Sequence, residues 1–201
     1  MSVTRISYNK NSHGSPSFLR RQILSAFQHD QRLRKRQLLA WQKLLRRYGD
    51  QTQPMFQRDV AKLKRELEKM DRRNTKFAKS VIRVHGWPSR SLVGKRCATA
   101  FFLLVQHADH DLVFQKKCLG ILKKAARIGE AQWRHFALLY DRVLIHERKK
   151  QLYGTQFQTL PDGTTNPFPI ARPKFLNSRR RSLGMNSFKE ECRHMRARNC
   201  M

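Results

Sequence analysis

From Phe56 to Val84 the apolar residues step by four and three: Phe56, Val60, Leu63, Leu67, Met70, Phe77, Val81 and Val84, with Asn74 as the one polar interruption. Only an α-helix brings that spacing onto one face, and a seam this long needs a second helix beside it. Upstream, Leu19, Ile23, Leu38, Trp41, Leu45 and Tyr48 form a matching stripe that Gly49 and Pro54 terminate. The two stripes predict a long antiparallel helix pair. Asn74 then reads as a hydrogen-bonded pin for the register, with the floor of a binding pocket as the second reading.

His85-Gly86-Trp87-Pro88 breaks the second helix, since Gly frees the backbone and Pro disfavours helix at the residue before it. Cys97 to Ala108 is apolar on most sides and predicts a central buried helix; Leu112 to Ile128 and a segment carrying Trp133, Phe136 and Tyr140 predict two more. Leu152 to Phe157 and a stretch near Phe168 flank Pro161-Asp162-Gly163, the pattern of a hairpin turn between short strands. Pro173 to Leu183 predicts a last short helix. The expected fold is mainly α: one compact domain of five to six helices at 18–185, a small β-hairpin near 152–170, and basic extensions at 1–17 and 186–201.

Charge narrows the function. Lys and Arg total 43 against 14 Asp and Glu, a net charge of +29, while 39% of the chain is hydrophobic. Such a chain can build a core, yet self-repulsion penalises compaction unless a polyanion neutralises it, and nucleic acid is the usual one. The expected RNA contacts are Arg20, Arg21, Arg32, Arg34, Lys35, Arg36, Arg46 and Arg47 on the first helix, and Arg72, Arg73 and Lys76 on the second. Lys174, Arg179, Arg180 and Arg181 on the last helix, and Arg193, Arg196 and Arg198 in the tail, complete the set, with Tyr8, Phe175 or Phe188 to stack on unpaired bases.

No acidic residue precedes Asp30, and the first residues are rich in Ser, Arg and Lys, the composition of an organelle transit peptide or of an ordinary basic arm. Cys97, Cys118, Cys192 and Cys200 form no CxxC pair, so neither a zinc ribbon nor a disulfide framework is indicated. No window approaches a membrane span. No Gly-rich phosphate loop, GxSxG or HExxH is present.

HGWPSRSLVG at 85–94, QHADHD at 106–111, DRVL at 141–144 and YGTQF at 153–157 stand in an order and spacing that resembles an uncharacterised, chiefly bacterial family of unknown function. The resemblance covers about residues 20–185 and includes Asp30-Gln31 with Arg34, and Asp71 with Asn74. It implies a compact helical domain with a small hairpin and supplies no reaction. Asn74, His85, Trp87, Gln106, His107, Asp109, Tyr153 and Gln156 are the candidates for a vestigial pocket. His107 with His110 or Asp111, joined by His85, is a metal reading; Asp109 or Asp111 as a helix cap and His107 as a packed ring is the favoured one. No metal or cofactor is expected.

Together these features predict a non-catalytic structural RNA-binding protein, a peripheral component of a mitochondrial ribosome in the matrix, touching ribosomal RNA and neighbouring ribosomal proteins, with no homo-oligomer and no membrane. The alternatives are an enzyme or ligand-binding protein using His85, His107 and Asp109, and a DNA-associated organellar protein.

Overall fold

Two helices, α1 (Pro16–Tyr48) and α2 (Pro54–His85), form the long pair that the seam predicts. The computed structural model of the protein describes residues 15–160 and 164–199, with side chains through 195. Ser15 caps α1 by accepting from the Phe18 amide, Pro16 fits the first turn where no amide partner exists, and Gly49 at φ 66° ends it. Gly86, at φ 67°, ends α2 as expected from HGWP. A single turn, α3 (Arg90–Val93), leads into α4 (Lys95–Gln106), then α5 (Leu112–Arg127) and α6 (Trp133–His146). None of the described helices is long and apolar enough to cross a membrane.

The core is built around α4. Phe101, Phe102, Leu104 and Val105 are fully buried, and Phe101, Phe102 and Val105 share one cluster with Ile23 of α1, Val81 and Ile82 of α2, Leu122 of α5 and Leu139 of α6. Trp87 stands edge-on to Phe101 at 5.4 Å, and Phe102 stacks on His135 at 4.1 Å. Burial pushes the His135 imidazole down to about 4, so it packs as a neutral ring. Cys97 and Cys118 are buried here as well, their thiols pushed up to about 11 and 12 by desolvation, which fits inert packing.

The outer half of the helix pair departs from the expected stripe. Beyond Gln37 no residue of α1 is buried, and Leu38 and Trp41 are 56% and 37% exposed. α2 packs on this half through Phe56 against the Tyr48 ring at 6.1 Å. The four-three pattern placed Leu38 and Trp41 on the first helix's inner face; over a 33-residue helix the inner face instead runs through Leu19, Ile23, Asp30, Leu33 and Gln37.

The hairpin lies slightly later than expected: β1 (Phe157–Thr159) pairs antiparallel with β2 (Thr165–Pro167), Phe157 opposite Pro167 and Thr159 opposite Thr165. The expected turn residues 161–163 lie outside the described residues. Leu152 to Gln156 is not a strand, because its amides turn toward one side chain, Asp141, instead of alternating between neighbours. After the hairpin come a 3₁₀ turn at Pro173–Phe175, α7 (Leu176–Arg181) and α8 (Phe188–Asn199). Most of the segment expected as a free tail, 186–201, is thus a helix docked on the domain. Eight helices and one two-stranded sheet, among the described residues, make the mainly-α fold that the sequence predicts.

Candidate functional site

Two carboxylates organise the residues singled out in the sequence, and they keep them apart. The first is Asp30, fully buried on the inner face of α1. It accepts from Gln31 Nε2 at 2.8 Å, Arg34 Nε at 3.1 Å and Asn74 Nδ2 at 3.4 Å, and His107 Nδ1 stands 3.3 Å away. Arg34 also reaches Asp71. Burial alone would raise Asp30, but the hydrogen bond and charge of His107, joined by Arg34, hold it below the ordinary range, whereas burial pushes Asp71 up despite Arg34. Asn74 therefore is the register pin that the seam predicts, and its partner is a charge. Arg34, expected to face RNA, is an internal counterion here.

Asp30, Asp71 and His107 bring one ligand atom each within 4.8 Å of one another, the only such group of three among the described residues. Two oxygens and an imidazole nitrogen suit a divalent cation, yet the Arg34 guanidinium already hydrogen-bonds both carboxylates and supplies the positive charge. His107 with a buried aspartate at Nδ1 also has the arrangement of an oriented acid–base group.

The second carboxylate is Asp141, fully buried on α6. The amides of Leu152, Tyr153 and Thr155 donate to it at 2.8 to 3.1 Å, and the Thr155 hydroxyl at 2.9 Å. DRVL and YGTQF, apart in sequence, are one device that folds a loop round a carboxylate. Burial nonetheless pushes Asp141 up from the usual range. Gln156 donates to the Leu138 carbonyl, and Tyr153 lies edge-on to Tyr140 at 6.2 Å. Gly154 turns at φ 65°, where a Cβ would lie 2.7 Å from the Phe188 ring.

The remaining pocket candidates have other partners. Asp109 is chelated by Arg142 and receives the Gln115 amide, whose nitrogen also donates to the Gln106 carbonyl. Asp111 caps α5 at the Phe114 amide, 3.0 Å, and pairs with Lys79, as the capping reading expects. The QHADHD segment is not one helix: α4 ends at Gln106 and α5 starts at Leu112, so His107, His110 and Asp111 share no helical face. His85 closes α2, half-buried, and Trp87 is core. The pocket candidates thus fall into separate groups, Asn74 with His107 at Asp30, Gln106 with Asp109 at Gln115, and Tyr153 with Gln156 in the Asp141 loop.

Several expected RNA contacts are internal. Arg180 is fully buried, donating to the Asn186 and Tyr153 carbonyls and to Glu191 of α8 at 2.7 Å; an exposed α7 face does not include it. Arg134 grips the same Glu191 with two bonds of 2.8 Å, and its hydrogen bond and charge bring that carboxyl down to about 2. Arg179 donates to the Leu152 and Ala171 carbonyls, whereas Arg20 and Arg36 stay exposed while they bond the Leu92 carbonyl and Glu66. Phe188 is packed between Gly154 and Phe157 and offers no free ring. Nothing in residue type distinguished these arginines from solvent-facing ones.

What remains outside is a cationic groove along one side of the α1–α2 seam. One stretch, about 580 Å³, is lined by His29, Arg32, Arg36, Glu66, Lys69 and Arg73; a second, about 480 Å³, shares His29 and Arg73 and continues past Asn74 to Arg21. Its α1 residues Arg21, Gln22, Ser25, His29, Arg32 and Arg36 recur on one helical face spanning about 22 Å at 1.5 Å per residue. Glu66 is the one acid of the groove, and Arg36 and Gln37 both bond it. Arg32, Lys69 and Arg73 join no ion pair among the described residues. Lys35, Arg46, Arg47, Arg72, Lys76, Lys174, Arg181 and Arg193 are exposed as expected, and the side chains of Arg196 and Arg198 and all of Tyr8 lie outside the described residues.

No curated protein and no solved structure matches the chain. A family match begins at residue 35, inside α1, and takes in everything from the outer half of the helix pair through α8. It therefore includes Asp71, His107, Asp141, Arg180 and Glu191, and over those residues, 35–199, the chain belongs to the family described as Family of unknown function (DUF6624).

Proposed function

We propose that the protein binds RNA through the α1–α2 groove and the cationic surface continuous with it, as a non-catalytic structural component of a mitochondrial ribosome in the matrix. One observation carries the reading. Twelve of the 14 acidic residues hold a hydrogen bond or ion pair inside the described structure, leaving Glu68, and Asp162, which lies outside the described residues. Acids are used to assemble the fold, and the cations left over face solvent with nothing to neutralise them. A surface of this kind recruits phosphates, and guanidinium forks along a groove give them paired hydrogen bonds.

Shape and position, more than sequence, would guide such binding, because the cations are strung along a helix pair and not converged on one base edge. Ribosomal RNA and its neighbouring proteins are the partner class that accommodates a small basic domain of this kind. The test is sedimentation of the tagged protein from native organelle lysate at low and moderate salt, with and without RNase. Co-migration with a ribosomal subunit that RNase abolishes is the expected result, and migration as a small free species sinks the proposal.

A second reading rests on Asp30, Asp71 and His107, whose approach within 4.8 Å suits a cation or acid–base chemistry. It replaces the sequence-derived trio of His85, His107 and Asp109, of which His107 turns to Asp30 and Asp109 to Arg142. A protein released from RNA that carries stoichiometric metal, lost in His107→Ala, is the outcome that would favour it.

A further inference from the structure

The two stretches of the groove differ in chemistry, and the difference indicates what occupies one of them. Around Arg32, Arg36 and Lys69 the walls are charged side chains over Leu33 and Met70, with no Phe, Asn, Gln or Ser among them. The second cavity, about 480 Å³, mixes its charges with uncharged groups: Arg21 and Arg73 at the margin, Gln22, Ser25 and Asn74 as amide and hydroxyl, and Phe77 as an apolar wall. That volume is within the roughly 300–1,000 Å³ range of small-molecule sites. Amides and hydroxyls can serve a phosphate or a base, but only a base gains from an aromatic wall, on which it stacks.

We propose that this cavity receives one unpaired base of the RNA bound along the groove, with the flanking phosphates on Arg21 and Arg73; the inference rests on the RNA-binding reading above. Asn74 is pre-set for the task. Its Nδ2 is committed to the buried Asp30 carboxylate at 3.4 Å, which leaves its carbonyl oxygen as the acceptor that this lining residue can offer a base. Phe77 is half-buried against the core and held in place, so stacking on it requires little ordering. Gln22 and Ser25, four residues before Ala26 and His29 on the same exposed face, supply polar groups that adapt to whichever base enters. A base inside a duplex is stacked and paired and cannot enter, so the site selects single-stranded or looped RNA.

The test compares the full chain, by fluorescence anisotropy at one salt concentration, on a labelled unstructured single strand of about 12 nucleotides and a duplex of the same length. The wild type is expected to prefer the single strand by about tenfold, the factor that one stacked base supplies. Ser25→Trp fills the cavity from an exposed position, and Gln22→Ala removes a polar edge without adding bulk; both are expected to bring the single strand toward duplex affinity while leaving the duplex unchanged. A preference that survives both substitutions overturns the base site and leaves RNA binding standing. Displacement of the strand by micromolar nucleoside monophosphate overturns it in favour of a free-nucleotide site. Failure of either RNA to bind at low salt overturns the RNA reading and this inference together.

Discussion

Arginine has opposite roles at the two ends of the molecule. At the C-terminal end Arg180 is fully buried, and with Arg134 it is closed on Glu191 by hydrogen bonds of 2.7 to 2.8 Å. Along the α1–α2 groove Arg32 and Arg73 are exposed and join no ion pair among the described residues. A buried charge with one partner removed leaves the other uncompensated in a poor solvent; an exposed one loses almost nothing. Stability should therefore depend on the first set and binding on the second.

The sharpest way to break this contrast is Arg180→Ala. It removes one of the two arginines on Glu191, leaves the Tyr153 and Asn186 carbonyls without their donor and empties the space of a fully buried long side chain, so a loss of about 3–5 kcal/mol is expected by urea denaturation. Arg73→Glu should lose less than about 0.5 kcal/mol by the same measurement. Equal losses would erase the distinction. Asp141→Ala comes next: it leaves the Leu152, Tyr153 and Thr155 amides without their acceptor, at a cost of about 2–4 kcal/mol, and should open the loop to hydrogen exchange before the helices.

Acid acts on the C-terminal end through Glu191. Glu191 is ordinarily near 4.5 and is held at about 2 by Arg134 first and Arg180 second. With the folded value below the unfolded one, its contribution is complete above pH 4.5 and is lost as pH falls toward 2. The difference amounts to on the order of 3 kcal/mol. Thermal melting from pH 6 to 2 should show this slope, and Glu191→Gln should flatten it. Asp30, also held low, adds to the fall in the same direction, while Asp71 and Asp141, both raised by burial, oppose it.

How much of this could be read from the sequence differs between the two regions for a physical reason. The HGWP break and the Asp111 cap are local and appear where the residues place them, and helix periodicity gives both long helices, although the α1 stripe drifts off the inner face by Leu38 and Trp41. Asn74 was legible as a polar interruption of an apolar seam, although the charge it pairs with, 44 residues away, was not. Asp141 and the 152–156 loop are joined only by folding, and an alternating YGTQF run reads as a strand until its amides find a carboxylate. Arg180 was hidden by its neighbours: in Arg179-Arg180-Arg181 a helix of 3.6 residues per turn sends each side chain in a different direction, and burial selects one of three identical residues. The short helix before a tail gave no signal that Glu191 would return to meet it.

The smallest expected effect on stability is the most telling for function. Lys69→Glu and Arg73→Glu lie on the same face of α2, one turn apart, and neither residue has an acid partner among the described residues whose desolvation would be left uncompensated. Their reversal should move the melting temperature by no more than a degree or two, because exposed charges in water are screened within about 10 Å at 0.1 M salt. RNA affinity is a different quantity, since each cation that meets a phosphate releases a counterion and contributes about one unit of slope in log affinity against log salt. The double reversal should therefore weaken binding several-fold at low salt, reduce that slope by about two, and become hard to see at high salt. A uniform loss at every salt concentration would mean that the groove acts through its shape or through a change in the fold. An unchanged slope would place the phosphate contacts on another face of the molecule and leave the α1–α2 seam as a structural strut.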